Sequence, residues 1–252
     1  MTFKLVDFKI VIPARYASAR LPGKPLLDIA GKPMVVRVAE QAAKSGAREI
    51  VIATDFEKIL QVAAAHHIKA VMTRLDHASG TDRIAEVAQI LGWMDDEIVV
   101  NVQGDEPLID PELIKEVAQH LANSQDAVMA TACHAIHDEA SMINPNIVKV
   151  VMDANGSALY FSRAPIPYPR DDVYKQNIQA HRHIGIYAYR VGFLKKYAQL
   201  RVTELEKIES LEQLRVLHHG YKIGVTVTQN APASGVDTQA DLDYVRSVFK
   251  DE

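Results

Sequence analysis

Cysteine is nearly absent from this chain: Cys133 is the only one among 252 residues. That count excludes an internal disulfide framework and a cysteine-ligated zinc cluster, and leaves Cys133 as a small core side chain. Long hydrophobic runs are missing as well, so no segment has the length of a membrane-spanning helix. Lys4, Asp7 and Lys9 interrupt the apolar N-terminal stretch, which is expected to be neither a signal peptide nor an anchor. A cytoplasmic location without membrane insertion is therefore expected. A large excess of either charge sign is lacking too, with 28 Lys and Arg against 32 Asp and Glu. A net charge of −4 disfavours generic binding to nucleic acid or anionic membranes, so any cationic site must act locally. Two glycine signatures for phosphate are also lacking. No G-x-G-x-x-G occurs, and Gly23-Lys24 is followed by Pro25 and lacks the earlier glycine of G-x-x-x-x-G-K-[ST].

What is present is ordinary for a folded enzyme-sized domain, with 48% hydrophobic and 24% charged residues. The length suits a single α/β domain over 1–252. Near the N-terminus, Ile10 to Pro25 read IVIPARYASARLPGKP, an apolar strand running into a loop with Arg15, Arg20 and Lys24. A rigid strand followed by a loop of backbone N–H groups and cations is the arrangement that cradles a polyanion.

Short β-branched runs then alternate with amphipathic patterns. Strands are expected at Phe8–Ile12, Glu49–Ala53, Lys69–Met72 and Glu97–Val102. Helices are expected at Pro33–Lys44, Glu57–His66, Thr81–Leu91 and Pro111–Ala122. This alternation predicts a Rossmann-like, mostly parallel sheet covered by helices on both faces. From Ala127 the rhythm changes. Ala127–Ala135, Val148–Met152, Ala158–Phe161 and Ile184–Tyr189 read as strands with little helix between them, which suggests a smaller mixed lobe at about 127–200. Pro165, Pro167 and Pro169 open an irregular excursion, and helix Leu205–His218, strand Lys222–Thr228 and helix Gln239–Phe249 finish the chain.

Two acidic positions stand out. Gln103-Gly104-Asp105-Glu106-Pro107 follows a central strand, and Gly235-Val236-Asp237-Thr238 precedes the last helix. Separately, Asp105 passes as a turn residue and Asp237 as a helix cap. With the cationic loop, they read as two carboxylates able to hold Mg²⁺ against phosphates, since that ion takes one or two protein carboxylates plus phosphate oxygens. His181-Arg182-His183 places two histidines on one side of a strand, without a third ligand at the spacing a zinc site uses.

Eight segments in order carry a resemblance: IPARYASARLPGKPL, MTRLDHASGTDR, VNVQGDEP, NPNIVKVV, ALYFSRAPIP, RHIGIYAYR, LEQLRV and GVDTQADL. Over nearly its full length the chain resembles the 3-deoxy-D-manno-octulosonate (KDO) cytidylyltransferases. The resemblance implies a fold of the nucleotide-diphospho-sugar transferase type and a homodimer formed through the mixed lobe. It also implies the Mg²⁺-dependent reaction of CTP with KDO to give CMP-KDO and diphosphate, for lipopolysaccharide biosynthesis. By motif, Arg15 and Lys24 would hold the CTP phosphates, and Pro13, Ala14, Arg74 and Ser79 would frame the cytidine. Asp105 and Asp237 would ligate the metal. Gln103, Arg163, His183, Tyr187, Glu212 and Gln213 would form the sugar pocket, with Arg163 or a protonated His183 offsetting the sugar carboxylate. The Pro165–Gln179 excursion departs from the family pattern and bears on the rim of the sugar site.

Overall fold

The computed structural model describes residues 6–16, 21–77, 79–171, 179–229 and 231–250. Its centre is β1 (Phe8–Ala14), in which six of seven residues are buried because neighbours cover both its edges and its faces. Strands β4 (Glu49–Thr54) and β6 (Ile98–Asn101) flank it in parallel, with Ile10 opposite Ile50 on one side and Val100 on the other. Beyond β4 lies β5 (Lys69–Met72), also parallel. The crossovers between these strands are helices: α1 (Met34–Ala43), α2 (Glu57–Ala65) and α3 (Gly80–Ile90). Between β1 and α1, the two-residue strands β2 (Asp28–Ile29) and β3 (Lys32–Pro33) form a separate small hairpin. The parallel half matches the element order expected from the alternating pattern.

The second half extends the same sheet. After α4 (Pro111–Asn123), β7 (Ala127–Ile136) begins, and the short helix α5 (Glu139–Ile143) follows it. The hairpin of β8 (Lys149–Met152) and β9 (Ala158–Ser162) comes next, then the long β10 (Ala180–Arg190). Strand β10 runs antiparallel between β6 and β7, and β11 (Lys222–Val227) closes the edge parallel to β7, giving the order β11-β7-β10-β6-β1-β4-β5. The mixed region beginning at Ala127 is thus continuous with the main sheet, from which, among the described residues, the β8–β9 hairpin projects.

Strand β10 holds the key to the site. Its C-terminal part, Tyr187–Arg190, pairs with β6, whereas His181 and Arg182 pair with β8 on that same side. Opposite, its register against β7 shifts between Ile184 and Tyr187. The sheet therefore splits where β10 leaves β6, and a cavity opens there.

One expectation needs correction, and one helix was not anticipated. The helix expected over Leu205–His218 is two helices, α7 (Glu204–Glu209) and α8 (Gln213–His218), broken at Ser210 in the left-handed region with φ 52°. Helical periodicity persists across the break, which hid it. The stretch after β10 also contains α6 (Val191–Tyr197), whose short VGFLKKY sequence carries no cap that sequence reading recognises. The final helix, α9 (Gln239–Val248), starts with a capping box between Thr238 and Asp241.

Candidate active site

The cationic loop is set by what surrounds it. Tyr16 stacks on Phe56 with ring centroids 3.9 Å apart, and its N–H donates to Asp55 at 3.4 Å. Asp55 also accepts from the fully buried Arg83 at 2.8 Å, so the loop's start is tied to β4 and α3 together. Gly23, at φ 68°, then turns the chain into one 3-10 turn over Lys24–Leu26 and lies against the Tyr16 ring. Arg20 lies outside the described residues.

Lys24 is the hub. Its Nζ donates to Asp105 Oδ2 at 2.6 Å, to the Val236 carbonyl at 2.8 Å and to Asp237 Oδ1 at 3.1 Å. Burial disfavours its charge, but the hydrogen bonds and fields of Asp105 and Asp237 outweigh that and hold its pKa above the ordinary lysine value. Two features bring the carboxylates together. A Cβ at Gly104 would stand 2.6 Å from the Pro13 carbonyl oxygen, so only glycine lets the 103–106 turn reach the end of β1. The Val236 N–H donates to the Asp105 carbonyl at 2.8 Å, which fixes the 235–237 segment beside that turn. Asp237 does not cap the last helix. Thr238 does, and Asp237 precedes it with its side chain turned to Lys24.

Arg15 reaches the other side of the cradle. Its Nη2 donates to the His77 carbonyl at 3.1 Å, while the His77 ring is hydrogen-bonded at 2.5 Å to Glu86, which also accepts the Arg74 N–H at 3.0 Å. Pro13, Ala14, Arg15, Lys24, Gln103, Gly104 and Asp105 line a cavity of about 260 Å³. Two of the expected cytidine residues behave differently. Arg74 is exposed, paired with Asp76 at 3.3 Å and outside the cavity wall. The Ser79 hydroxyl is committed to Asp82 at the N-terminus of α3, so a contact with a base would have to use its backbone.

A second cavity, of about 400 Å³, opens at the split in the sheet. His183, Gly185, Tyr187 and Tyr189 line it, every second residue along one face of β10. Glu212 and Gln213 come from the break between α7 and α8, and Tyr197 from α6. Gln103 and Gly80 line both cavities, so the two adjoin at the end of β6 and the start of α3. The walls are neutral or acidic. Burial pushes the His183 pKa down to about 3, and its Nε2 lies 3.0 Å from Thr131 Oγ1. Burial together with Asp82 raises the pKa of Glu212.

His183 therefore carries no positive charge at neutral pH, and the expectation that it would offset a sugar carboxylate as a cation is corrected: desolvation forbids it. Arg163 is not in the wall either. Its guanidinium donates to the carbonyls of Glu209 at 2.6 Å, Pro145 at 3.0 Å and Ser210 at 3.4 Å, lying behind Ser210, which is a wall residue. Three wall residues, Asn101, Tyr197 and Gln213, each hold a buried polar atom without a partner among the described residues. Such an atom costs about 1–3 kcal/mol, and a polyhydroxylated ligand is one way to recover it. Sequence reading missed Asn101, Tyr189 and Tyr197. Tyr189 was accessible, because strand alternation puts it on the face of His183 and Tyr187. Tyr197 was not, because α6 was not seen.

Comparison with known proteins places this architecture. The family model described as cytidylyltransferase matches residues 9–223. A CMP:2-keto-3-deoxy-manno-octonic acid synthetase, solved in complex with CTP, superposes with a TM-score of 0.90 at 45% identity, covering 98% of this chain and 99% of that one. A cytidylyltransferase from Leptospira borgpetersenii serovar Hardjo-bovis (strain JB197) superposes with a TM-score of 0.62 at 16% identity, covering 98% of this chain and 87% of that one, and shares the fold. Fold and paired cavities define a nucleotidyltransferase. The chain belongs to the cytidylyltransferase family.

Proposed function

We propose that this enzyme joins CTP to KDO, releasing diphosphate and forming CMP-KDO for lipopolysaccharide biosynthesis, as the near-full-length similarity to a CMP:2-keto-3-deoxy-manno-octonic acid synthetase supports. The observation that carries the reading is the adjoining of a cavity lined by cations and carboxylate and a polar cavity without cationic side chains at Gln103 and Gly80. A triphosphate in the first and a sugar acid in the second would meet at that wall. There the anomeric oxygen forms a bond to the α-phosphorus, the bond from that phosphorus to the diphosphate oxygen breaks, and the hydroxyl proton passes to solvent. No side-chain nucleophile is needed, because positioning and charge compensation supply most of such a displacement.

In this reading Arg15 and Lys24 offset the triphosphate, while Pro13, Ala14 and the Ser79 backbone border the cytidine. Asp105 and Asp237 converge on one cationic point and offer hard oxygen donors, the donor set that Mg²⁺ accepts, so they would hold that ion. The ion would supply charge stabilisation at the phosphates. The sugar would bind Gln103, His183, Tyr187, Glu212 and Gln213. The positive end of α3, whose Gly80 and Thr81 line the sugar cavity, favours its carboxylate, and Arg163 stands behind that wall.

A homodimer through the β8–β9 hairpin belongs to the same proposal. Among the described residues strand β9 pairs only with β8 and exposes Leu159, and Ile143 and Tyr168 are also exposed. A lone 28 kDa species in sedimentation at micromolar concentration would refute the dimer. No helix among the described residues is long and apolar enough to cross a membrane, and use of CTP fits a cytoplasmic enzyme. Diphosphate release tests the substrate: CTP with KDO should turn over, and CTP with N-acetylneuraminate should not. Equal rates with both sugars would reject KDO as the sugar.

A further inference from the structure

The three donors of Lys24 Nζ meet three oxygens: Asp105 Oδ2, Asp237 Oδ1 and the Val236 carbonyl. Its ammonium thus stands at the point on which both carboxylates converge. A divalent ion held by Asp105 and Asp237 together needs that same point, and ammonium and ion cannot share it. Like charges at such short range repel each other, so ammonium and ion compete for the carboxylates. We propose that Lys24 is a built-in placeholder cation: it keeps the two carboxylates assembled and excludes a divalent ion until a triphosphate draws the ammonium away. This rests on the metal reading above and deepens it.

The consequence is a coupling. Lys24 also lines the phosphate-side cavity, together with Arg15, Gly104 and Asp105. A triphosphate entering there competes for the ammonium with charge-assisted hydrogen bonds of its own. Each contact Lys24 transfers to phosphate frees a carboxylate oxygen. Nucleotide therefore raises the protein's affinity for the metal, and by linkage the metal raises its affinity for nucleotide by the same factor. The backbone suits such a move, because the lysine sits on a single 3-10 turn after the left-handed Gly23 and its long side chain alone must shift.

The test uses Mn²⁺ as the metal probe, without nucleotide, with bound ion read by electron paramagnetic resonance. Lys24→Met should bind Mn²⁺ roughly tenfold or more tightly than the unaltered protein, and Lys24→Met with Asp237→Asn should lose that gain. Equal, Asp237-dependent affinity with and without Lys24 would overturn the placeholder while leaving the metal reading intact. Should Mn²⁺ binding never depend on Asp105 or Asp237, even with CTP present, the metal reading itself falls. Removing Lys24 leaves two carboxylates facing each other and can impair folding, so a second measurement uses the unaltered protein. Saturating Mn²⁺ should speed acetylation of Lys24 by acetic anhydride, read by peptide mass spectrometry, because a displaced ammonium gives up its shielding carboxylates. An unchanged labelling rate would mean that the ion and the lysine do not compete, and the proposal would be wrong.

Discussion

The cavity at the Lys24 loop and the cavity at the split in β10 share Gln103 and Gly80 but are held together by different forces. On the phosphate side the ionic contacts bridge distant segments: Lys24 to Asp105 and Asp237, and Arg83 to Asp55. On the sugar side the wall is a buried neutral histidine, three tyrosines whose ionisation burial opposes, an acid with a raised pKa and amide and hydroxyl atoms without a partner among the described residues. A triphosphate brings several charges and needs fixed counter-charge. A sugar brings many hydroxyls and needs directional dipoles whose strength grows as water is excluded. The difference between the walls mirrors the difference between the two proposed substrates.

The sharpest way to break this comparison is to remove a charge on the phosphate side. Asp237→Asn should fold as the parent does, since Thr238 and Asp241 cap α9 without it, and should lose on the order of 10²–10³ in kcat. Because Asp105 and Asp237 act on one cation, the double substitution should be little worse than either single one. Near-native kcat in Asp237→Asn, measured by diphosphate release, would show that the paired carboxylates do not carry the chemistry.

A smaller effect is expected on the sugar side. Tyr197→Phe deletes a buried hydroxyl that has no partner among the described residues, so its melting temperature should hold or rise slightly. If that hydroxyl meets the sugar, KM for KDO should rise about tenfold, the worth of roughly one hydrogen bond, with KM for CTP unchanged. A rise in the CTP value instead would place Tyr197 with the nucleotide.

The mildest effect separates the two sides by pH. His183 has its pKa lowered from 6.5 to about 3 by burial, so between those values the unfolded chain binds a proton that the folded one refuses. Stability from this group is full above pH 6.5 and is lost as pH falls. Glu106, beside Asp105, is raised from 4.5 to about 8 by burial and by that neighbour. Its contribution is full below pH 4.5 and is lost as pH rises through 8. Melting curves of His183→Asn should therefore flatten on the acid side, and those of Glu106→Gln on the alkaline side. The same slope on both sides in either variant would mean that these groups are not the titrating ones.

Much of this was legible in the residues themselves. Period-two and helical patterns locate the parallel half, because each element there buries one face or both against a neighbour and must declare it in its side chains. The Arg15–Lys24 loop and the Asp105 turn show through local chemistry. What sequence could not supply was contact over distance. That Asp237 faces Lys24 across 213 positions depends on a backbone hydrogen bond between Val236 and Asp105. That Glu212 and Gln213 face β10 depends on a left-handed residue at Ser210, a position where no glycine marks the break. That His183 is neutral depends on the burial it acquires against β7 and Phe161 where β10 has left β6. Local pattern records what a residue prefers among its chain neighbours, and so the sequence by itself determined most of the elements, the cationic loop and the family. Charge state, convergence of carboxylates and the split that opens the sugar cavity are properties of packing, which exist only once distant segments have been brought together and water has been removed.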